Sequence, residues 1–260
     1  MKSHFAFALA GTLALGLAPP GHAFDRAAVA NSRRDLQNAV NHGNLAAMMG
    51  LRARFSAMSA AEPGEPLLHY WVAVATWRAL PLQMARDKKL AERMGADALD
   101  HIEKALASDA KFGEALALKG GLQGLLISLK PNSMMTLGPQ SGANLARATS
   151  IQPGNPRIHL LWGIGILHTP ETFGGGATPA IEEFRRAQEL FEKEAVTDST
   201  APDWGRDDAF LWEGRAAMEL KDYAAARDAF RLALKANPAN GWVKTGLLPA
   251  AEEALAKKEK

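Results

Sequence analysis

The chain has 260 residues, and its 30 lysine and arginine residues nearly balance its 28 aspartate and glutamate residues, so no general positive field attracts a nucleic acid. It contains no cysteine, which excludes disulfide frameworks, thiol catalysis, zinc ribbons and iron–sulfur clusters. Hydrophobic residues make up 47% of the chain and aromatic residues only 7%, a composition that favours a globular, mainly helical protein.

The first 23 residues have the pattern of a cleavable secretory signal. Lys2 gives a basic start, and residues 5–17 form an uncharged apolar run that is too short to span a bilayer. Gly21 and Ala23 are small residues at the −3 and −1 positions, which predicts cleavage after Ala23. An uncleaved anchor or a buried first helix is the alternative. We expect a soluble periplasmic or secreted bacterial protein, with residues 24–260 as one helical domain and no membrane segment after cleavage.

Apolar residues recur at helical spacing along the rest of the chain, and proline, glycine and asparagine separate the runs. No stretch alternates with the period of two that indicates a strand. The pattern predicts an all-α chain of short helix hairpins, with helices at 25–41, 44–59, 65–80, 86–107, 112–129, 138–150, 156–167, 178–194, 206–219, 222–236 and 240–257.

The clearest repeating unit covers residues 206–238. Gly214 and Ala226 are small residues at the positions where two helices approach closely, Phe230 faces the partner helix, and Pro238 ends the unit. This pattern resembles the tetratricopeptide repeat (TPR), a helix–turn–helix unit of about 34 residues. The resemblance implies a TPR-like solenoid of four to five helix pairs, with residues 240–257 as a C-terminal capping helix.

Weaker copies of the unit precede it. Gly120 and Gly163 occupy the glycine position, and Leu145 and Phe184 occupy the position of the partner-facing aromatic residue. The marker glycines are 43 and 51 residues apart rather than 34. We therefore expect irregular insertions, which lie around 128–137 and 167–179 and before the last full unit.

The second and third insertions contain Thr169-Pro170-Glu171-Thr172-Phe173-Gly174-Gly175-Gly176 and Pro202-Asp203-Trp204-Gly205. Here the chain resembles a group of exported bacterial TPR-like proteins that share a Thr-Pro-x-x-Phe-Gly-Gly-Gly loop and a Pro-x-Trp-Gly turn. More weakly, it is similar to the T-components of TRAP-type transporters, helical periplasmic proteins proposed to cooperate with a substrate-binding protein. The lipoprotein members carry a lipidated cysteine that this chain lacks. The resemblance implies a fold and a compartment more than an activity.

Candidate binding residues lie in and beside these insertions, because loops that interrupt a repeat tend to carry function. The glycines allow Phe173 to fold back under the loop and pin it to neighbouring helices. An anion at the start of the following helix, with Thr178 as its N-cap, is an alternative that Glu182 and Glu183 oppose. The candidates are Trp162, His168, Phe173, Gly174, Gly175, Gly176, Trp204, Gly205 and Trp212.

No catalytic or metal-binding pattern is present. The histidines lack the spacing of a helical zinc pair, and adjacent acids such as Asp207 and Asp208 point about 100° apart on a helix. We therefore expect no catalytic residue, metal or cofactor. The sequence favours an interaction scaffold that binds a protein or peptide through the solenoid groove, with Trp162 and Trp212 as its walls. The alternative is a small-molecule-binding or transporter-accessory protein with an apolar pocket between helices, and an enzyme is the third hypothesis.

Overall fold

The computed structural model describes residues 25–258, so the predicted signal sequence lies outside the described residues. The described chain contains helices and no strand. Short 3-10 turns occupy Pro131–Ser133 and Glu171–Phe173, and a π-helical segment at Val243–Leu247 leads into the last helix. The α-helices are α1 Arg26–Asn41, α2 Leu45–Ala61, α3 Pro66–Met84, α4 Lys88–Ser108, α5 Gly113–Leu129, α6 Met134–Ile151, α7 Pro156–Leu167, α8 Ala177–Lys193, α9 Arg206–Glu219, α10 Tyr223–Ala236 and α11 Leu248–Lys258.

Capping residues explain where several helices begin. Asp25, Asn44, Asp87 and Asp222 each accept a hydrogen bond from the backbone N–H three residues later, at the start of α1, α2, α4 and α10. Such a side chain satisfies one of the four N–H groups that a helix start leaves without a partner. The predicted helix starts agree with these positions to within two residues.

The helices pack as five consecutive hairpins, and α11 covers the last of them. The first helices of successive pairs, α1, α3, α5, α7 and α9, contact one another in order. The second helices of the pairs make at most marginal contacts with each other in residues 25–258. The first helices therefore line the inner, concave side of the solenoid, and the predicted all-α helical repeat is confirmed.

The marker glycines of the predicted repeats mark close helix contacts. A side chain there would collide with the residue that the repeat pattern assigns to the facing helix. An added Cβ would lie 2.5 Å from the Phe230 ring at Gly214, 2.6 Å from the Phe184 ring at Gly163 and 2.8 Å from Leu145 at Gly120. The correspondence between the glycine and the facing side chain thus holds in three hairpins.

The expected insertion at 128–137 is largely wrong. Only a short turn separates α5 from α6, which begins at Met134 and continues through Pro139. Proline is tolerated there because this side of the helix is exposed, with Met135 85% accessible, so water can replace the missing backbone hydrogen bond. The predicted N-cap of α8 also moves, since the helix begins at Ala177 and Gly176 precedes it.

Residues 194–205, here called the strap, connect α8 to α9 across the inner helices. The Trp71 indole Nε1–H of α3 donates to the Thr200 carbonyl at 3.1 Å. Arg33 of α1 donates to the Ala201 carbonyl and pairs with Asp203 at 3.0 Å. The strap therefore fills part of the concave face with the protein's own chain.

The curvature brings the first hairpin into contact with the last. The Asn237 amide after α10 donates to the Asn41 side chain at the end of α1, at 2.8 Å, and also to Asp207 of α9 at 2.8 Å. Asn240 donates to the same Asp207 carboxylate at 2.9 Å. Burial and the neighbouring Asp208 raise the pKa of Asp207. The solenoid is thus closed by hydrogen bonds rather than open at both ends.

Candidate binding surfaces

A buried polar network anchors the strap at the starts of the inner helices. The Trp204 indole N–H donates to the Tyr70 hydroxyl at 3.0 Å, and that hydroxyl donates to Glu114 at 2.9 Å. Arg157 donates to Glu114 at 2.9 Å, to the Trp204 carbonyl at 3.1 Å and to Glu194. Burial lowers the pKa of the Arg157 guanidinium, but the Glu114 and Glu194 carboxylates outweigh it and raise that pKa. Every member of this network has a partner, so the charges are stable inside the core.

Trp204 also lies within a cation–aromatic cluster. The Arg78 guanidinium lies 4.7 Å from the Trp77 ring and 4.9 Å from the Trp204 ring, and it holds Asp208 through two hydrogen bonds. Gly205 follows with a φ of 104°, and a Cβ there would lie 2.9 Å from Phe191. Trp204 and Gly205, two of the predicted binding residues, therefore lie in the core and hold the strap in place.

The glycine loop, residues 169–176, is closed by its own backbone. The N–H groups of Gly174, Gly175 and Gly176 donate to backbone carbonyls at 2.9, 3.2 and 3.0 Å. A Cβ on Gly175 would lie 2.0 Å from the Thr169 carbonyl oxygen. All three glycine N–H groups are thus already bonded within the loop and are not available to an anion.

Phe173 does not fold back under the glycine loop. Its side chain is 75% exposed, and the backbone hydrogen bonds described above close the turn without it. The expectation that Phe173 pins the loop is therefore wrong. An aromatic side chain left in water at the tip of an ordered loop is instead available to a partner.

A partly exposed group of aromatic and basic side chains lies where α7 ends. His168, the C-cap of α7, meets the Trp212 ring of α9 edge to face at 5.8 Å. The Arg215 guanidinium lies 4.2 Å from the Trp212 ring and 5.5 Å from the Trp242 ring. Trp242 is 52% exposed. We call His168, Trp212, Arg215 and Trp242 the Arg215 patch.

The patch carries a positive charge that no carboxylate contacts directly. Arg215 forms no hydrogen bond or ion pair within residues 25–258. Burial lowers the pKa of its guanidinium more than the nearby Glu219 raises it. Partial desolvation and the charge of Arg215 lower the pKa of His168. His168 is thus neutral near pH 7 and offers ring nitrogens, while Arg215 offers an unpaired positive charge.

Sequence reasoning found only half of this patch. His168 and Trp212 are among the predicted binding residues, whereas Arg215 and Trp242 are not. The missed signal is the spacing of Trp212 and Arg215, which places them on one side of a helix. Of the remaining candidates, Trp162 is half-buried and packs against the core.

Two histidines outside the candidate list repeat one arrangement. His159 of α7 directs Nε2 to the Pro153 carbonyl at 2.9 Å and Nδ1 to Glu183 at 2.7 Å. His69 of α3 directs Nε2 to the Pro63 carbonyl at 3.1 Å and Nδ1 to His101 at 2.9 Å. Each is the last residue of a Pro-Gly-x-Pro-x-x-His sequence, so the repetition was visible in the sequence.

The best-formed concavities of the described chain are small or open. A shallow depression of about 380 Å³ lies between the α6–α7 turn and the end of α8 and is lined by Gln152, Asn155, Leu190, Lys193 and Glu194 among others. A cavity of about 10 Å³ lies between α1, α3 and the strap. Neither is the enclosed apolar pocket of the small-molecule alternative.

Residues 25–258 contain no group of three potential metal-ligating side chains. None of their helices is long and apolar enough to cross a membrane.

Comparisons with solved structures support the helical-repeat fold. The chain is similar to the HusA haemophore from Porphyromonas gingivalis, with a TM-score of 0.64 and 23% identity, over 78% of this chain and 96% of that one. It is also similar to a thermophilic TPR protein from Thermus thermophilus, with a TM-score of 0.60 and 15% identity, over 88% of this chain and 99% of that one. No protein-family model and no curated protein sequence matches the chain. At these identities the likeness concerns the fold.

Proposed function

We propose that this chain is an exported, non-enzymatic scaffold that binds a protein or peptide partner through the Arg215 patch and the adjoining glycine loop. One observation carries the proposal: the Arg215 guanidinium, which is unpaired within residues 25–258, lies 4.2 and 5.5 Å from two indole rings, and Trp242 is half exposed. Arginine and tryptophan are the side chains that most often dominate the binding energy of protein interfaces. Stacked helix pairs present such side chains on an extended surface, which supports a scaffold role.

The position of the strap favours this surface over the rest of the concave face. The strap binds near the starts of α3 and α7, through Tyr70 and Arg157. The Arg215 patch lies at the opposite end of α7, where His168 ends the helix. A partner that approaches the inner face therefore finds the strap at one end and the patch at the other.

The chemistry of the patch indicates the kind of group that it receives. A guanidinium that is partly desolvated and unpaired gains from a carboxylate, and charge-assisted hydrogen bonds of this kind are about twice as strong as neutral ones. The indole rings favour an apolar or aromatic neighbour of that carboxylate. The exposed Phe173 ring extends the apolar part of the surface into the glycine loop. We expect an acidic segment with an adjacent apolar side chain.

Affinity capture with matched variants tests the proposal. The bait protein captures partners from a periplasmic extract of the source bacterium, and Arg215→Gln and Trp242→Ser replace the patch side chains. Arg231→Gln and Leu232→Ser are controls, because both residues are exposed on α10. We expect one partner that the controls retain and both patch variants lose. A partner that all four variants retain contradicts a role for the patch.

The exported location has its own test. The secretory pattern of residues 1–23 supports it, and cleavage after Ala23 gives a mature protein that begins at Phe24. Intact-mass measurement of the protein from cell fractions checks this directly. We expect the shorter mass in the periplasmic fraction, whereas the full-length mass in the cytoplasm contradicts export.

A second candidate is a carrier of a planar small molecule, which the composition of the patch favours. His168 supplies an imidazole, two indoles supply flat apolar surface, and Arg215 supplies a charge for a carboxylate. Histidine is a common haem ligand, and the structurally similar HusA is described as a haemophore. Haemin titration followed by absorbance tests this candidate. A haemin spectrum that changes with wild type but not with His168→Ala favours the carrier, and no change with wild type rejects it.

A further inference from the structure

The strap contacts the inner helices in the way that an extended bound peptide does. Its backbone is not helical between Glu194 and Gly205. Three of its carbonyls accept hydrogen bonds from side chains of the inner helices, namely from Trp71, Arg33 and Arg157. Recognition of an extended segment through its main chain is a recurring mode of peptide binding. Main-chain contacts alone, however, do not select a sequence.

The side chains of the strap make the contacts specific for a sequence, because the acidic residue Asp203 is followed directly by the aromatic residue Trp204. Asp203 pairs with Arg33 at 3.0 Å. The next residue, Trp204, inserts its ring beside Trp77 and Arg78 at 5.4 and 4.9 Å and is 5% exposed. The inner face therefore binds an Asp-Trp pair by charge and by contacts between aromatic rings.

The strap does not satisfy this surface completely. The Arg33 Nε atom is buried and has no hydrogen-bond partner among residues 25–258, and its side chain is only 10% exposed. A cavity of about 10 Å³ lies beside it, between Arg33, Trp71 and the strap. A buried donor without a partner is unfavourable, because it has lost its hydrogen bond to water and gained none in the protein. A segment that offered one more acceptor at this point would bind better than the strap does.

We infer that the inner face of α1, α3 and α7 is a recognition groove for an extended acidic–aromatic peptide, and that the strap occupies it as an intramolecular ligand. A partner segment with the same Asp-Trp chemistry competes with the strap for Arg33, Arg78 and the surrounding rings. This groove is distinct from the Arg215 patch, so the inference does not depend on the proposed function. The strap keeps the groove closed to weaker ligands, because its tether gives it a high effective concentration.

A peptide with the sequence of residues 195–206, carrying a fluorescent label, tests the inference by anisotropy. Trp204→Ala weakens the strap, and we expect it to bind the peptide at least about tenfold more tightly than the wild-type chain does. Arg33→Gln, added to Trp204→Ala, should remove that gain. Phe230→Leu is the control, since it loosens α10 without touching the strap, and it should leave binding at the wild-type level.

A milder variant covers the case in which Trp204→Ala does not fold. Asp203→Asn keeps the tryptophan in the core and removes only the pairing charge on Arg33. We expect it to bind the peptide about threefold more tightly than the wild type, because a partly exposed ion pair contributes little. Two results overturn the inference: folded strap variants that bind no better than the wild type, or a scrambled peptide that binds equally well.

Discussion

The Trp204 indole N–H donates to the Tyr70 hydroxyl at 3.0 Å, although 134 positions separate the two residues in the chain. The bond joins the strap to the third helix, and Glu114 and Arg157 extend it to the fifth and seventh helices. A tryptophan from an insertion has therefore become part of the core. The same network explains why the concave face is partly filled, and the Arg215 patch lies outside it, at the opposite end of α7.

Tyr70→Phe should destabilise the protein without changing its fold. The substitution leaves the Trp204 Nε1–H and one oxygen of Glu114 buried without this partner. We expect a loss of about 1–3 kcal/mol in the free energy of unfolding, measured by urea denaturation. Tyr223→Phe on the half-buried start of α10 is the control and should cost less than about 0.5 kcal/mol. If both variants lost the same free energy of unfolding, the buried network around Tyr70 would not contribute specially to stability.

Gly214→Leu should destabilise the solenoid through overpacking. The Cβ alone would lie 2.5 Å from Phe230, so α9 and α10 must separate. The expected loss is about 1–3 kcal/mol or more. Gly50→Leu on α2 is the matched control, because nothing lies within 4 Å of a Cβ there, and replacing a helical glycine should stabilise α2 slightly. Thermal unfolding of both variants gives the comparison, and unchanged stability of Gly214→Leu would contradict the repeat alignment.

Gly175→Val should open the glycine loop more than it destabilises the whole chain. The new Cβ would lie 2.0 Å from the Thr169 carbonyl oxygen, so the turn between α7 and α8 cannot keep its hydrogen bonds. Hydrogen exchange should become faster at residues 169–176 and remain slow in the core helices. The affinity for the partner should fall clearly, whereas the melting temperature should decrease only slightly. Parallel losses of melting temperature and binding would indicate that the loop is only structural.

The stability of the protein should depend on pH through His159. Both ring nitrogens of His159 face acceptors, and the hydrogen bond to Glu183 raises its pKa, although partial burial opposes this. A histidine with a raised folded-state pKa stabilises the protein fully below the unfolded-state pKa of about 6.5. That stabilisation is lost as the pH rises through the folded-state value.

Urea denaturation across about pH 5.5 to 8.5 measures this contribution. The wild type should lose stability as the pH rises above about 6.5. Glu183→Gln keeps a polar side chain but removes the charge, so its decline over the same interval should be smaller. Identical pH profiles for the two proteins would show that the Glu183 contact does not set the protonation of His159.

The sequence predicted the helices well because each hairpin carries its own signals. Capping residues such as Asp222 mark helix starts, and small residues such as Gly214 mark close packing, so both are local in the chain. The helix predicted at 138–150 begins earlier, at Met134, because a proline on an exposed helix face, here Pro139, does not have to end the helix. Local sequence patterns therefore located most helices. They failed at the start of α6, where solvent exposure allows a proline inside the helix.

The candidate surface was harder to predict because it depends on contacts between distant residues. Nothing near Trp204 in the sequence shows that Tyr70 and Arg78 will bury it. Similarly, Arg215 looks like an ordinary solvated residue until Trp242 is placed beside it. The exposure of Phe173 also follows from tertiary structure, since the backbone of the loop closes without its side chain.

Site-specific photocrosslinking tests the central proposal most directly. A photoreactive phenylalanine derivative replaces Trp242 in the patch or, as the control, the exposed Leu232 on α10, and the protein is irradiated in periplasmic extract. We expect one crosslinked partner from position 242, its loss when Arg215→Gln is added, and no such product from position 232. The same product from both positions, or a product from position 242 that is unaffected by Arg215→Gln, would contradict binding at the Arg215 patch.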